Sequence, residues 1–131
     1  NGHPVGVAAA LATIALLKDG SVHHHCFSLA KRAGDGIQSI ADEFGIDMQV
    51  VTFGSVFVPY FFTGPTESYT DLLKNDTQAD LWFRRTMCEH GIFMLPTAIK
   101  RNHVSAAHTA ADIDRTLETA RKVLRSLPTQ K

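Results

Sequence analysis

The sequence predicts an α+β fold in which helices cover one face of a small antiparallel sheet. Three observations support this fold class. Long segments near both ends carry apolar residues at steps of three and four, which predicts amphipathic helices. Two runs rich in β-branched and aromatic residues flank Gly54 and Ser55, which predicts a hairpin. Glycine and proline separate the shorter segments that remain. The predicted order is helix, helix, strand, strand, helix, strand, strand, helix.

Two consecutive helices open the chain. The first begins at Pro4, where the missing N–H costs nothing, and it is alanine-rich and apolar on nearly every side. A polar turn at residues 19–21 ends it, and the second helix is predicted over about residues 22–44. Gly34 and Gly36 weaken this second helix by about 1 kcal/mol each relative to alanine, so we expect close backbone contacts there. Its predicted buried stripe consists of Val22, Cys26, Leu29, Ala33, Ile37, Ile40 and Phe44.

The hairpin is predicted from residues 48–53 and 56–62, which read as two antiparallel strands. Pro59 has no N–H to donate to a strand ladder, so an edge or a bulge is expected at that position. Residues 63–75 are predicted to form a polar connection with turn signals at Gly64 and Pro65.

The C-terminal half begins with a helix predicted over about residues 77–90. Short strands are predicted at residues 92–95 and 104–106. Thr109 or Asp112 can cap the last helix by accepting a hydrogen bond from a free N–H of its first turn. The acidic residues there also favour the positive end of the helix dipole. The apolar stripe of this helix is predicted to contain Ile113, Leu117, Ala120, Leu124 and Leu127.

Length and charge limit the possible functions. A chain of 131 residues is one domain by the usual size range. Its 13 basic and 13 acidic side chains give no electrostatic case for binding nucleic acid or an anionic membrane. The apolar run at residues 5–17 has no preceding basic region and is too short to span a bilayer. Cys26 and Cys88 form no CxxC pair, which fits a reduced compartment, and we expect a cytoplasmic protein.

No complete active site is evident from the residues alone. His23, His24 and His25 are consecutive, and adjacent helical positions point about 100° apart, so they cannot converge on one metal ion. A solvated helix face is the simpler interpretation, and no metal site is predicted. Ser55 lacks a GxSxG elbow. Cys88 has His90 nearby on the same helix, but residues at that spacing do not face each other.

Four motifs carry a resemblance to a known family, at residues 2–12, 54–62, 89–97 and 105–114. In that order they resemble the C-terminal part of class III pyridoxal-phosphate aminotransferases, in the branch that includes glutamate-1-semialdehyde 2,1-aminomutase. The first resembles the family's G[NH]P-[LV]-x-x-AAxLA helix, and the second its GSMFxxFF strand pair. The third resembles its GVYLxPS turn, and the fourth its SxAHTxxDID helix start. Each motif is weak alone, and together they extend over nearly the whole chain.

This resemblance implies the small C-terminal domain of a fold type I enzyme. Residues 1–20 would be a linker helix from a large domain, and residues 21–131 the small domain itself. The chain begins without an initiator methionine, so we expect a piece of a longer protein. The resemblance places the Schiff-base lysine and the acidic partner of the pyridine nitrogen upstream. The segment alone is therefore expected to hold no catalytic residue and to be inactive. Pyridoxal 5'-phosphate would be bound mainly by the large domain, with Gly2 near its phosphate.

One departure from the family pattern affects the expected activity. Lys100 stands where the aminomutase carries a glutamate after its Pro-Ser turn. A cation there changes the recognition of amino and carboxylate groups. It favours a transaminase that moves an amino group between an amino acid or amine and a keto acid. The aminomutase remains an alternative. A non-catalytic α+β module for binding or dimerisation is another, if the chain is complete.

The resemblance also assigns substrate-binding residues and partners. Transaminases of this fold commonly grip the substrate carboxylate with an arginine, whose planar fork matches two oxygens. Arg101 is our candidate, with Lys100 beside it; a solvated loop arginine is the competing interpretation. The apolar first helix would be covered by the large domain and by the second subunit of a homodimer. We therefore expect the isolated segment to self-associate. The other partners are a small-molecule amino donor and acceptor, and neither nucleic acid nor a membrane is expected.

Overall fold

A computed structural model describes residues 2–128 of the chain. Within that range five helices and three strands form, and the predicted α+β class is confirmed. In chain order they are α1 (Pro4–Leu17), α2 (Ser21–Phe44), β1 (Gln49–Phe53), β2 (Val56–Tyr60), α3 (Tyr69–Leu72), α4 (Thr77–Glu89), β3 (Asn102–His103) and α5 (Ala110–Arg125).

The three strands form one antiparallel sheet in the order β1-β2-β3. The predicted hairpin is confirmed, and Gly54 makes its tight turn with a φ of +56°, which glycine adopts readily. The register is continuous, so β2 contains no bulge. Pro59 lies opposite Val50, whereas β3 pairs only with Val56 and Phe57. One side of β2 is thus unpaired at Pro59, as expected for a residue without an N–H.

Helix α2 covers the sheet, and α5 packs against α2. α2 packs against both long strands and against α5, and α4 packs against α5. The predicted stripe of α2 is largely confirmed, since Cys26, Leu29, Ala33, Ile37 and Ile40 are all buried. On α5, Ile113, Ala120 and Leu124 are buried as predicted, and Leu117 and Leu127 pack against the core while partly exposed.

Close contacts at the two glycines of α2 are confirmed. A Cβ built on Gly34 would lie 2.2 Å from Thr52 Oγ1 of β1. A Cβ built on Gly36 would lie 2.6 Å from Leu117 Cδ2 of α5. Both distances are far inside van der Waals contact, so the missing side chains allow α2 to approach the sheet and α5 closely.

The first helix contrasts with the others because none of its residues is buried. It meets α2 at a bend of 70°. Within residues 2–128 no single helix has both the length and the apolarity of a membrane span; α1 and α2 satisfy these criteria only as a bent pair. The division into a linker at residues 1–20 and a small domain at residues 21–131 stays a prediction.

The strand predicted at residues 92–95 is wrong, because this segment has no regular structure. Its backbone bonds to the end of α4 instead of to another strand. The N–H of Ile92 donates to the carbonyl O of Met87 at 2.9 Å, and Cys88 Sγ donates to the carbonyl O of Met94 at 3.1 Å. Phe93 is exposed while Met94 is buried, although all four residues of this segment are apolar in the sequence.

The strand predicted at residues 104–106 is misplaced by two residues. β3 covers Asn102 and His103, and the N–H of Val104 still donates to the carbonyl O of Ser55 at 2.9 Å. A turn then begins at Ser105, whose carbonyl accepts from the N–H of His108. The connection at residues 63–75 also contains α3, a short helix that the sequence did not indicate; Ser68 caps it.

Candidate functional site

A cleft of about 700 Å³ lies between residues 91–95, residues 100–104 and the first two turns of α5. The first two segments are the irregular stretch after α4 and the stretch around β3. The floor is apolar and includes Ala33 of α2 and Phe57 of β2, while the polar and charged groups stand on the walls. The charged and imidazole side chains that line it are Lys100, Arg101, His103, His108, Asp112 and Arg115.

The start of α5 forms one wall, and a complete capping box fixes it. Of the two caps proposed from the sequence, Thr109 is the N-cap: its Oγ1 accepts from the N–H of Asp112 at 3.3 Å. The Asp112 carboxylate in turn accepts from the N–H of Thr109 at 2.8 Å and from its hydroxyl at 2.7 Å. The hydroxyl of Thr109, and then its N–H, hold the pKa of Asp112 below its ordinary value.

Two further contacts tie this wall to the rest of the fold. His108 Nδ1 accepts a hydrogen bond from the N–H of Ser105 at 3.0 Å. The carbonyl O of His108 accepts from Nε2 of His25 on α2 at 2.8 Å. The turn that leads into α5 is therefore held from both sides, so the side chains at the start of the helix have a defined position at the cleft.

The walls of the cleft carry more positive than negative charge. Lys100, Arg101 and Arg115 are exposed to it, and Asp112 is the one carboxylate among the lining residues. Gly91, with a φ of +82°, makes room for one of these cations. A Cβ there would lie 3.1 Å from Arg115 Nη2, so a side chain would crowd the guanidinium. Such a wall suits an anionic ligand, because guanidinium groups bind carboxylates and phosphates through paired hydrogen bonds.

A buried ion pair on α4 lies behind the segment that carries Lys100 and Arg101. Asp80 and Arg84 are both completely buried, with Arg84 Nε 2.5 Å from Asp80 Oδ1. Arg84 Nη2 donates to the carbonyl O of Lys100 at 2.8 Å. The N–H of Ile99 donates to Asp80 Oδ2 at 2.7 Å. The pair thus grips the backbone immediately before Arg101.

The residues proposed from the sequence fall in different places. Lys100 and Arg101 lie together in the cleft, whereas Gly2 is not among its lining residues. Their assignment to substrate or cofactor stays a prediction. Among residues 2–128, no group of three or more histidine, cysteine, aspartate or glutamate side chains could hold a metal ion. Cys88 faces the backbone of Met94, and His90 Nδ1 donates to the carbonyl O of Thr86.

Sequence reasoning missed three contributors to this site. Arg115 was not distinguished from the other exposed arginines of the chain. Asp80 and Arg84 were not singled out either. Their spacing of four residues was visible in the sequence, but it carries no signal that both side chains are buried.

Comparison with curated proteins gives relatives of one kind. The chain is 39% identical over 127 residues to the glutamate-1-semialdehyde 2,1-aminomutase of Desulfitobacterium hafniense, a match that covers 97% of the chain and 30% of the relative. It is 33% identical over 130 residues to the aminomutase of Caldivirga maquilingensis, covering 99% of the chain and again 30% of the relative. The chain thus spans about 30% of the length of these relatives. No family model matches it.

Solved structures share the fold. A transaminase with PLP bound superposes with a TM-score of 0.77 at 20% identity, over 97% of this chain and 28% of that one. A glutamate-1-semialdehyde aminomutase of Pseudomonas aeruginosa PAO1, solved in complex with PMP, gives a TM-score of 0.74 at 16% identity. That match covers 82% of this chain and 24% of the other. At these identities the likeness shows the fold alone, and it confirms the predicted fold class.

Fold and sequence together confirm the family resemblance. The chain is homologous to a C-terminal segment of the class III pyridoxal-phosphate-dependent aminotransferases. The curated relatives reported above are glutamate-1-semialdehyde 2,1-aminomutases by name.

Proposed function

We propose that this chain forms the small-domain wall of the substrate site in a pyridoxal-phosphate-dependent transaminase. The full-length enzyme would move an amino group between an amino acid or amine and a keto acid. The observation that carries the proposal is the cleft in which Lys100, Arg101 and Arg115 stand over an apolar floor. A keto acid and an amino acid both present a carboxylate, which these cations can bind, and an apolar floor accommodates the rest of a small substrate.

The described residues fit the substrate side of a pyridoxal-phosphate site. When bound, this cofactor supplies an electron sink, while protein groups position it and the substrate. The cationic walls of the cleft suit the carboxylate of the substrate. We place the Schiff-base lysine and the acidic partner of the pyridine nitrogen in an upstream large domain, with residues 1–20 as the linker and residues 21–131 as the small domain. Gly2 would then lie near the cofactor phosphate, and the isolated segment would be inactive.

Arg101 is the proposed carboxylate clamp. Its guanidinium can donate two parallel hydrogen bonds to one carboxylate, which fixes both the distance and the orientation of the substrate. Lys100 contributes a second positive charge, on an ammonium group that lacks the planar geometry of the guanidinium. Together they would draw the carboxylate end of the substrate to this wall and leave the amino end free to reach the cofactor.

The test is Arg101→Lys in the full-length enzyme. The charge stays while the planar fork is lost. The kcat/KM for amino-acid donors should therefore fall by a factor that corresponds to about 1–3 kcal/mol of binding free energy, the scale of a charged hydrogen bond. Simple amines without a carboxylate should be nearly unaffected. The matched control is Arg85→Lys, which alters an exposed arginine of α4 outside the cleft lining. Equal losses for both substrate types, or no loss for either, would remove Arg101 from this role.

A second candidate function is glutamate-1-semialdehyde aminomutase activity, in which the amino group moves within one molecule. The names of the curated relatives favour it, whereas Lys100 in place of the family glutamate argues against it. Incubating the full-length enzyme with the semialdehyde and no added keto acid separates the two functions. Conversion to the isomeric amino acid supports the aminomutase. Transfer that requires an added acceptor supports the transaminase.

The full-length protein is proposed to be a cytoplasmic homodimer. Cys26 and Cys88 are free thiols, in keeping with a reduced compartment. Helix α1 exposes Val5, Leu11, Ile14 and Leu16, and a large domain together with a second subunit would cover them. The upstream gene sequence tests the enzyme proposal directly. A full-length reading frame without a Schiff-base lysine would support the non-catalytic binding or dimerisation module instead.

A further inference from the structure

We infer that Asp80 and Arg84 are positioning residues for the substrate cleft, holding Lys100 and Arg101 at its wall through the backbone of the loop that carries them. The inference rests on the proposed function for what the cleft binds. Neither side chain lines the cleft itself, and both are completely buried beneath it. Any influence on a ligand must therefore pass through the loop at residues 95–100.

The contacts of the pair are concentrated on one short stretch of backbone. Asp80 Oδ2 accepts from the N–H of Ile99 at 2.7 Å, and Arg84 Nη2 donates to the carbonyl O of Lys100 at 2.8 Å. These two bonds lie on either side of the peptide bond between Ile99 and Lys100. A third contact places Arg84 Nη1 3.5 Å from the carbonyl O of Leu95, at the other end of the loop. The pair thus spans the loop from its start to the residue before Arg101.

The loop needs this support because its backbone is in an unfavourable conformation. Ile99 has a φ of +54°, the only positive φ of a non-glycine residue in the described part of the chain. A β-branched side chain rarely adopts the left-handed region, and such a residue persists where surrounding contacts force it to. The hydrogen bond from its own N–H to Asp80 is the contact that does so here.

The pair is in turn anchored to the sheet. Asn75 is buried, and its Nδ2 donates to Asp80 Oδ2 at 3.2 Å while its Oδ1 accepts from the N–H of Phe61 at 2.8 Å. Phe61 follows directly after β2. A continuous chain of hydrogen bonds therefore runs from the end of β2 through Asn75 and the ion pair to the loop. These hydrogen bonds fix the position of the cleft wall relative to the sheet.

A purely stabilising role does not require this arrangement. Buried ion pairs contribute little net stability compared with well-packed apolar residues, because removing two charges from water is unfavourable. Here all the hydrogen bonds that the structure records for the two side chains beyond their own contact go to the 95–100 loop and to Asn75. This geometry supports one loop, at residues 95–100.

The test is Arg84→Lys in the full-length holoenzyme, with Arg85→Lys as the matched control on the exposed face of the same helix. A lysine keeps the charge but is a single point donor, so it cannot bond Asp80 and the carbonyl of Lys100 in the fork geometry of arginine. We expect the KM for a carboxylate-bearing amino donor to rise about tenfold, with kcat and the KM for a simple amine nearly unchanged. Amide hydrogen exchange at Ile99, whose N–H donates to Asp80, should become faster, and the Arg85→Lys control should match the wild type in every measurement.

A second variant keeps the test decisive if Arg84→Lys fails to fold. Ile99→Pro leaves both side chains of the ion pair in place, removes the N–H that donates to Asp80 and cannot adopt a positive φ. It should raise the same KM. Unchanged exchange at Ile99 in a folded Arg84→Lys variant, an unchanged KM in either folded variant, or equal effects on both substrate types would overturn the inference. A wild-type enzyme that transfers no amino group refutes the proposed function instead, and the exchange rates then decide the positioning role.

Discussion

Replacing Gly36 with alanine tests how closely α2 and α5 pack. The added Cβ would lie 2.6 Å from Leu117 Cδ2, 2.7 Å from Cδ1 and 3.2 Å from Cγ. Carbon atoms in contact prefer separations of about 3.5–4.0 Å. Three atoms of one side chain are therefore too close, and Leu117 must swing outward or α5 must retreat from α2.

Two opposed terms set the size of the effect. Alanine is favoured over glycine inside a helix by about 1 kcal/mol, and overpacking a fitted contact costs about 1–3 kcal/mol. Gly36→Ala should therefore lower the free energy of unfolding by about 0–2 kcal/mol in the wild-type background. Leu117→Ala removes all three obstructing atoms. In that background the same Gly36→Ala change should raise the free energy of unfolding by about 1 kcal/mol.

The assay is urea denaturation of the four proteins of this double-mutant cycle, compared at constant m-value. Gly6→Ala on α1 is the control, because a Cβ built there meets no atom within 4 Å. It should stabilise both backgrounds equally. An identical effect of Gly36→Ala with and without the leucine side chain would refute the close-packing argument.

Two further predictions concern the ends of the chain. Thr109→Ala removes the cap of α5 and should lower the free energy of unfolding by about 1 kcal/mol at pH 7. The folded pKa of Asp112 is lowered mainly by the Thr109 hydroxyl, so this part of the stability is present above about pH 4 and is lost as pH falls through the folded pKa. The difference between wild type and variant in denaturant melts should thus shrink toward pH 2, and a constant difference would contradict the coupling. The isolated segment should self-associate through α1, and Leu11→Lys should shift it toward monomer in sedimentation velocity; a segment that is strictly monomeric at high concentration would rule this out.

The elements that the sequence predicted well are those whose signals are local. The apolar stripe of α2 repeats for six turns, so its boundary was placed within one residue. The hairpin was located because Gly54 interrupts two β-rich runs. The cap of α5 was narrowed to Thr109 or Asp112 because both residues lie at the helix start, and the structure shows that they bond each other within one turn. In each case the deciding contacts lie a few residues apart in the chain.

The segment after α4 was misjudged because its structure depends on distant contacts. Residues 92–95 form an uninterrupted apolar run, which is typical of a short buried strand, yet their backbone bonds to Met87 and Cys88 at the end of α4. β3 is only two residues long, and its position is decided by pairing with Val56 and Phe57. No local sequence pattern at Asn102 and His103 predicts that pairing.

The candidate site likewise combines residues that could be proposed from the sequence with residues whose role depends on distant contacts. Lys100 and Arg101 could be proposed from their place between two family motifs, but nothing in the sequence shows what supports them. Asp80 and Arg84 have the same four-residue spacing as the exposed Lys31–Asp35 pair, whose side chains are 72% and 62% accessible.

What separates the two pairs is the tertiary environment. The α4 pair lies on the core side of its helix, beside a loop that begins 11 residues after Arg84 at Leu95, and it bonds to that loop's backbone. Loss of a buried ion pair with backbone partners therefore has a different consequence from loss of a solvated pair. Without the α4 pair the left-handed Ile99 loses the bond that holds it, and the two cations of the cleft lose their fixed position.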